Sequence, residues 1–358
     1  MKKHWRTIWA ITSKDLRDAL RNRHAVVVII SALFVVIMYR FIPQINEEDE
    51  RINVLVYDAG ESSLVMMLEN SPLLDVYTYD SQADMERYLA NGDVPELGLF
   101  VPAGFDLRSR DASVPALTGY VMNWVSDAQA REMQQVVEGE IATVSGVAVP
   151  IHLSERRVYR WPDSGGNGVL IGMGMVFAIL MVGMMLPTHL MIEERQAKTL
   201  DVLLVSPASA AHVVAGKTLT GVSYALLSAS VGFVVNHAMI HRWGLAALAA
   251  LSCALFSVML GLLLGSTMRT RQQLSLWAWV LLVPLFFPMF LSLLDDLLPG
   301  WLITLFHWIP TVALFNVFRA SFAGEVVLRD WAPRLALALG YTGLLLALLV
   351  WIVRRSDR

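Results

Sequence analysis

From Val169 to Ile192 the chain runs for 24 residues with only Thr188 and His189 as clearly polar interruptions. Such a run has few ways to fold. A helix of about 20 residues crosses a hydrocarbon core roughly 30 Å thick, and inside that core every peptide group must be bonded within its own segment. Further apolar stretches lie at Ala25–Ile42, Thr218–Ile240, Leu245–Thr267, Leu274–Leu294 and Leu335–Val353. The 358 residues are 56% hydrophobic and only 16% charged, well away from a soluble composition. The expectation is an α-helical polytopic membrane protein with six transmembrane helices. The first stretch, 25–42, ends near Arg40, whose long side chain can snorkel to the interface. It follows a basic segment of 24 residues, and no small-x-small cleavage site precedes Pro43 and the acidic run Glu47–Glu50, so it reads as a retained anchor.

Charge gives the orientation. Lys2, Lys3, Arg6, Lys14, Arg17, Arg21 and Arg23 precede the first span, Arg195, Lys198 and Lys217 follow the second, Arg269 and Arg271 lie between the fourth and fifth, and Arg354, Arg355 and Arg358 end the chain. In a six-span arrangement all of these fall on one side, which the positive-inside rule makes cytoplasmic. A plasma-membrane protein with both termini in the cytoplasm is expected. Residues 43–165, on the other side, carry 8 Arg, no Lys and 21 acidic residues. That balance suits a solvated exterior face and excludes nucleic acid as a partner, because nucleic-acid binding needs a basic footprint.

The exterior region, 43–167, reads as alternating strand and helix: strands at Ile52–Tyr57, Asp75–Tyr79, Leu97–Val101 and Ala116–Trp124, and helices at Ser62–Glu69, Ser81–Leu89 and Asp127 to about Val144. Met133, Val136, Val137, Ile141 and Val144 repeat at helical spacing. The pattern predicts a small extracytoplasmic α/β domain inserted between spans one and two. Pro150, Pro162 and the run Ser164–Gly168 mark the stretch from Val149 to Gly168 as a linker back to the membrane. The single cysteine, Cys253, sits in an apolar span and reads as a small buried hydrophobe, so the exterior domain must be held by its own core.

Two segments are neither span nor domain. In residues 1–24, Trp5, Trp9, Thr12, Leu16 and Leu20 form a stripe with Lys14, Arg17, Arg21 and Arg23 largely off it, which reads as an amphipathic elbow helix lying flat at the interface. Residues 295–331 are too apolar for a solvated loop yet are broken by Pro299, Gly300, Pro310 and Gly324. Two short helices, Leu302–Trp308 and Val312–Phe322, would form a re-entrant hairpin on the exterior side, its backbone buried in protein or lining a cavity.

Motifs for chemistry are missing. Gly216-Lys217-Thr218 looks like the end of a phosphate-binding loop, but Ala211 stands where that motif needs glycine and no strand precedes it. His189, His237, His241 and His307 are scattered near membrane boundaries and read as polar end groups; Asp295 and Asp296 read as solvated. The pairs Gly168/Gly172 and Gly261/Gly265 permit close helix packing. No catalytic, cofactor-binding or metal-ligating residue is assigned, and any energy source must come from a partner.

A charged segment directly after the second span carries the most specific signal. Glu193, Glu194, Arg195, Lys198, Thr199, Leu200, Asp201, Leu203, Leu204, Ser206 and Pro207 combine rim charges with an apolar ridge of Leu200, Leu203 and Leu204, and Pro207 stops the helix. Thr199, Leu200, Leu203, Leu204, Ser206 and Pro207, followed by Gly216 and Lys217, match the local signature T-L-x-x-L-L-x-S/T-P and then G-K. By these residues and by its plan over essentially the whole length, the chain resembles a membrane permease subunit of an ABC transporter, of the type-2 exporter class with a large exterior domain. Lys198 and Asp201 stand where many relatives have Gly and Glu.

The resemblance implies that residues 193–206 are a coupling helix seated in a groove of a separate ATPase subunit. That subunit binds the ATP, so the chain itself is a non-catalytic partner with no cofactor. It further implies a homo- or heterodimer of permease subunits in the lipid bilayer, with a path bordered by the second and fifth spans for export of a drug, a lipid-like molecule or an ion. A non-transporting membrane scaffold or sensor that uses the exterior domain is the other reading of the same fold.

Overall fold

Two hydrophobic cores of different construction form in the computed structural model, which describes residues 2–21, 23–41, 51–60, 62–91, 95–105, 116–123, 125–155, 157–158, 167–196, 210–268, 270–291, 299–323 and 326–356. One unit comprises Met1–Arg40, Val169–Ser321 and Val326–Arg358, the other Phe41–Gly168 with Phe322–Glu325.

The second unit is the α/β body. Its strands are β1 (Ile52–Asp58), β2 (Leu74–Thr78), β3 (Leu97–Val101), β4 (Leu117–Tyr120) and β5 (Ile151–Leu153), in sheet order β2-β1-β3-β4-β5. β1 runs parallel to β2 and β3, β3 pairs antiparallel with β4, and β4 is parallel to β5. With β1 in the middle, the crossovers β1–β2 and β2–β3 travel in opposite directions, and right-handedness puts their helices on opposite faces. These helices are α3 (Ser63–Leu68) and α4 (Gln82–Asn91); α5 (Asp127–Ser145) packs beside α3. Val54, Leu55 and Val56 of β1 are buried between Leu64 and Leu68 of α3, Met85 and Leu89 of α4, and Met133, Val137 and Ile141 of α5. Ser126 caps α5 in a reciprocal box with Gln129, and Gly146 closes it in the left-handed region at φ 71°.

The stretch read as a linker contains structure. β5 lies within it, and Val158 forms a bridge with Met122. Three residues cannot hold an edge strand by pattern alone. Side chains of α5 complete its bonding: Glu138 Oε1 accepts from the Ile151 N–H at 2.7 Å, and Gln134 Nε2 donates to the Ile151 carbonyl at 2.9 Å.

The helical unit comprises α1 (Lys2–Arg21), α2 (Arg23–Phe41), α6 (Asn167–Gln196), α7 (Ala210–Val235), α8 (Trp243–Thr267), α9 (Arg271–Leu291), α10 (Gly300–His307), α11 (Pro310–Phe322) and α12 (Leu328–Ser356). Among the described residues, five helices are long and apolar enough to cross a membrane, or six if the bent pair α10–α11 counts as one broken span. α2, on which the first expected span falls, is 19 residues long, and its described apolar stretch is Val26–Val35. The third span differs from expectation: α7 begins at Ala210 and ends at Val235, and His237–Met239 form a separate 3-10 turn.

Small residues set the helix contacts. A Cβ on Gly261 of α8 would lie 2.3 Å from the Met184 carbonyl oxygen of α6, and one on Gly183 of α6 would lie 2.0 Å from Ser257 Oγ. Across the same seam Thr188 Oγ1 sits 2.6 Å from the carbonyl oxygens of both Met184 and Gly261. Backbones approach this closely only where side chains are absent. α10 and α11 meet at a bend of 86°. The buried α11 is tied in by the Ser321 carbonyl, which accepts from the N–H groups of His241 and Arg242 at 3.1 and 2.9 Å. Protein covers α11, whereas Trp308 at the bend and Trp301 and Leu305 of α10 are exposed.

Candidate functional site

The charged segment after the second span is partly in view. Glu193, Glu194 and Arg195 occupy the last turn of α6, which runs unbroken from Asn167 to Gln196. No separate helix starts at 193; the apolar run and its charged end are one rod. Lys198, Thr199, Leu200, Asp201, Leu203, Leu204, Ser206 and Pro207 lie outside the described residues.

The same rod carries a cavity wall. Phe177, Met181, Met185 and His189 recur every four residues along α6 and face a space of about 380 Å³. α2 contributes Val27, Val28, Ser31, Ala32 and Val35, and α9 contributes Leu274, Ala278, Trp279 and Leu282. Phe177 meets Phe286 of α9 edge-on, with ring centroids 4.9 Å apart. Walls of aliphatic, thioether and aromatic groups accept apolar surface and adapt to its shape. Ser31 and His189 are the polar members. His189 Nδ1 lies 2.8 Å from the Met185 carbonyl, which can only accept, so Nδ1 is the donor. His189 is therefore more than an end group, since its imidazole borders the cavity.

Gly216 and Lys217 occupy a different setting from the one expected. Lys217 does not contribute a positive charge to the loop after the second span. It lies inside α7, its side chain is 3% exposed, and its Nζ is 3.5 Å from Oδ2 of Asp15, which is also 3% exposed. A Cβ on Gly216 would lie 2.8 Å from Ile11 Cγ2, so glycine is what lets α1 reach α7 here. Thr12 Oγ1 sits 3.2 Å from the Gly216 carbonyl oxygen, and the Tyr224 hydroxyl donates to the Leu16 carbonyl at 2.5 Å. α1 accordingly packs on protein through Ile11, Thr12 and Asp15, with Trp9 left 55% exposed. Of the stripe Trp5, Trp9, Thr12, Leu16 and Leu20, Thr12 and Leu16 are thus turned to protein and Trp9 is exposed. Ile8, Ile11, Thr12, Asp15 and Leu16 have the spacing of one helix face, and that spacing is the signal in the sequence for this contact.

α11 buries a cation. Arg319 is 8% exposed, its guanidinium lies 5.5 Å from the Phe315 ring centroid, and its Nη1 is 3.5 Å from Asn316 Oδ1. The Thr311 hydroxyl donates to the Leu285 carbonyl, which links α11 to α9. No residue pattern in the sequence singled out this cluster beyond the break at Pro310.

Comparison with known proteins agrees with this architecture. Residues 25–355 match the family described as ABC-2 family transporter protein. The chain is 23% identical over 340 residues to the probable multidrug ABC transporter permease YbhR of Escherichia coli K12, covering 86% of this chain and 87% of the relative. The YbhR of Escherichia coli O157:H7 gives the same figures. A bundle of apolar helices packed through glycine, an α/β body encoded between α2 and α6, and a family match over nearly the whole length lead to one conclusion: this chain is a multi-pass membrane protein of the ABC-2 transporter family, a permease of the ABC transporter class.

Proposed function

We propose that the chain is the membrane half of an ATP-driven exporter, which moves a drug, a lipid-like molecule or an ion across the plasma membrane while a separate ATPase subunit hydrolyses the nucleotide. The observation that carries this reading is the continuity of α6: one rod bears four cavity-lining side chains and ends in Glu193, Glu194 and Arg195. Pro187 lies within that rod and removes the N–H that would bond the Gly183 carbonyl, so a push on the charged end reaches His189 directly and Met185, Met181 and Phe177 through the proline turn. Residues 193–207 provide the contact with the ATPase, where Leu200, Leu203 and Leu204 enter a groove and the flanking charges fix register. ATP binding at the partner then favours one of two arrangements of the helices through its different affinity for each.

In this reading α2 is the first of six spans, both termini are cytoplasmic, and the α/β body stands outside with the α10–α11 pair closing the path on that side. A second permease subunit, identical or related, covers the open face of α9. Trp277, Val280, Pro284 and Phe287 are exposed there, and Pro284 removes the N–H that would bond the Val280 carbonyl. Lipid would leave that carbonyl unsatisfied, whereas a second subunit or a wet path would not. The apolar cavity fits the lipid-like end of the substrate range best.

The test is affinity recovery of the detergent-solubilised protein from its host, with wild type beside the double variant Leu203→Asp/Leu204→Asp. Recovery of an ATPase subunit with wild type alone is expected. Equal recovery with the variant would remove the coupling segment, and no ATPase with either would favour a scaffold or sensor.

A further inference from the structure

We propose that Asp15 and Lys217 are positioning residues that lock α1 to the start of α7, so that the α2 wall of the cavity follows the segment joining α6 to α7. This deepens the transport reading and rests on it for the source of the motion. The lock itself stands on geometry.

Two charges 3.5 Å apart, each with a side chain 3% exposed, form a seam between helices that are far apart in sequence. Removing water from such a pair is costly, and the cost is offset only while both partners remain in place; taking one away leaves a buried charge. The pair therefore has two states, closed or broken, and does not slide. Three neighbouring contacts serve the same join: Gly216 admits Ile11, Thr12 approaches the Gly216 carbonyl, and Tyr224 holds the Leu16 carbonyl.

The seam leads to the cavity through side chains in contact. Leu16 of α1 packs against a buried cluster of Ala32 from α2, Ala178, Val182, Leu186 and Leu190 from α6, and Tyr224 from α7, and Val28 packs on the same cluster. Val28 and Ala32 also line the cavity. α7 begins at Ala210, directly after residues 197–209, which hold most of the segment assigned to the ATPase. A displacement there reaches α6 through its own backbone and reaches α2 through Lys217, Asp15 and Leu16. Two of the cavity's three walls are thus moved from one place, and the third, α9, meets α6 through the rings of Phe286 and Phe177.

The test uses the full chain in membranes and reads the α2 wall directly. Ser31, exposed on that wall, is replaced by Cys in a Cys253→Ala background, and its rate of modification by N-ethylmaleimide is measured. Asp15→Asn and Lys217→Met each are expected to change the rate by about fivefold or more, as a shift between two populated arrangements does. The exchange Asp15→Lys/Lys217→Asp is expected to bring it back to within about twofold of the parent, because it restores a pair. Should the single variants fail to insert, Tyr224→Phe, which removes only the bond to Leu16, gives a smaller change in the same direction. Leu314→Ala, buried in α11, controls for general loosening and leaves the rate unchanged. Rates equal to the parent in the single variants and in Tyr224→Phe, no recovery in the exchange, or an equal change with Leu314→Ala would each overturn the lock. No ATPase is needed for this measurement. A lock without a recoverable ATPase subunit would leave the seam standing and remove the transport reading, and the converse result would do the reverse.

Discussion

The α/β body and the helical unit bury apolar residues by opposite means. In the α/β body, large side chains fill the space between a sheet and helices: Leu97 and Leu99 of β3, Met85 and Leu89 of α4 and Ile141 of α5 are wholly buried. In the helical unit, the closest contact is made where side chains are missing, at Gly183, Gly216 and Gly261, and is fixed by hydroxyls, carbonyls and one ion pair. Water drives the first kind of core, since apolar area leaves it on folding. Lipid gives no such drive between helices, so shape and polar bonds decide which faces meet. The same composition of leucine, valine and alanine therefore means different things in the two regions.

This contrast can be broken at its strongest point by adding volume to the helical seam. Gly261→Val places a branched side chain where even a Cβ lies 2.3 Å from a backbone oxygen and 2.8 Å from Met184 Cα. The cost is expected at or beyond the upper end of about 3 kcal/mol for overpacking, because backbone cannot rotate away as a side chain does. Loss of a monodisperse peak on size-exclusion chromatography in detergent would show it; normal behaviour would mean that α6 and α8 can part without harm. Removing volume is the sharper perturbation in the α/β body. Leu99→Ala, at a site with no exposure in the central sheet, is expected to cost about 3 kcal/mol. Limited proteolysis should then cut the α/β body earlier while the helical unit stays protected, and equal acceleration in both would deny that the two cores are separate.

The smallest effect is electrostatic. Burial, reinforced by Glu96, Tyr88 and Tyr77, raises the Tyr79 phenol above its ordinary value of 10.0. The folded state therefore holds the proton more tightly than the unfolded one. The stabilisation is complete below pH 10.0 and is lost as pH rises through the folded value. Tyr79→Phe is expected to flatten the alkaline loss of α/β structure, followed by circular dichroism of the full chain. A curve unchanged by the substitution would place that loss on another group.

Much of this architecture could be read from pattern. The runs Ile52–Tyr57 and Leu97–Val101 gave their strands to within a residue, and the apolar stretches located the long helices, because burial on one or both faces leaves a periodic trace. What escaped depended on partners distant in sequence. β5 is three residues long and is held by Glu138 and Gln134 of α5. The start of α7 was placed eight residues late because Lys217 reads as a solvated charge unless Asp15 is known to face it. Arg319 was invisible for a related reason: its burial follows from the 86° bend that precedes α11, which no residue count reveals. Of the candidate site, the sequence located the charged end of α6 but not the cavity, whose three walls come from 27–35, 177–189 and 274–282.

The seam between α1 and α7 also imposes an order in time. Thr12 and Gly216 are 204 residues apart, so at roughly 5–20 residues per second α1 leaves the ribosome about 10 to 40 s before its mate exists. The α/β sheet, whose strands all lie between Ile52 and Leu153, has its whole sequence in hand well before then. During biogenesis the Asp15 carboxylate must wait in contact with water or lipid headgroups. The first helix of this protein is thus seated only after the whole sequence of the α/β sheet has been made.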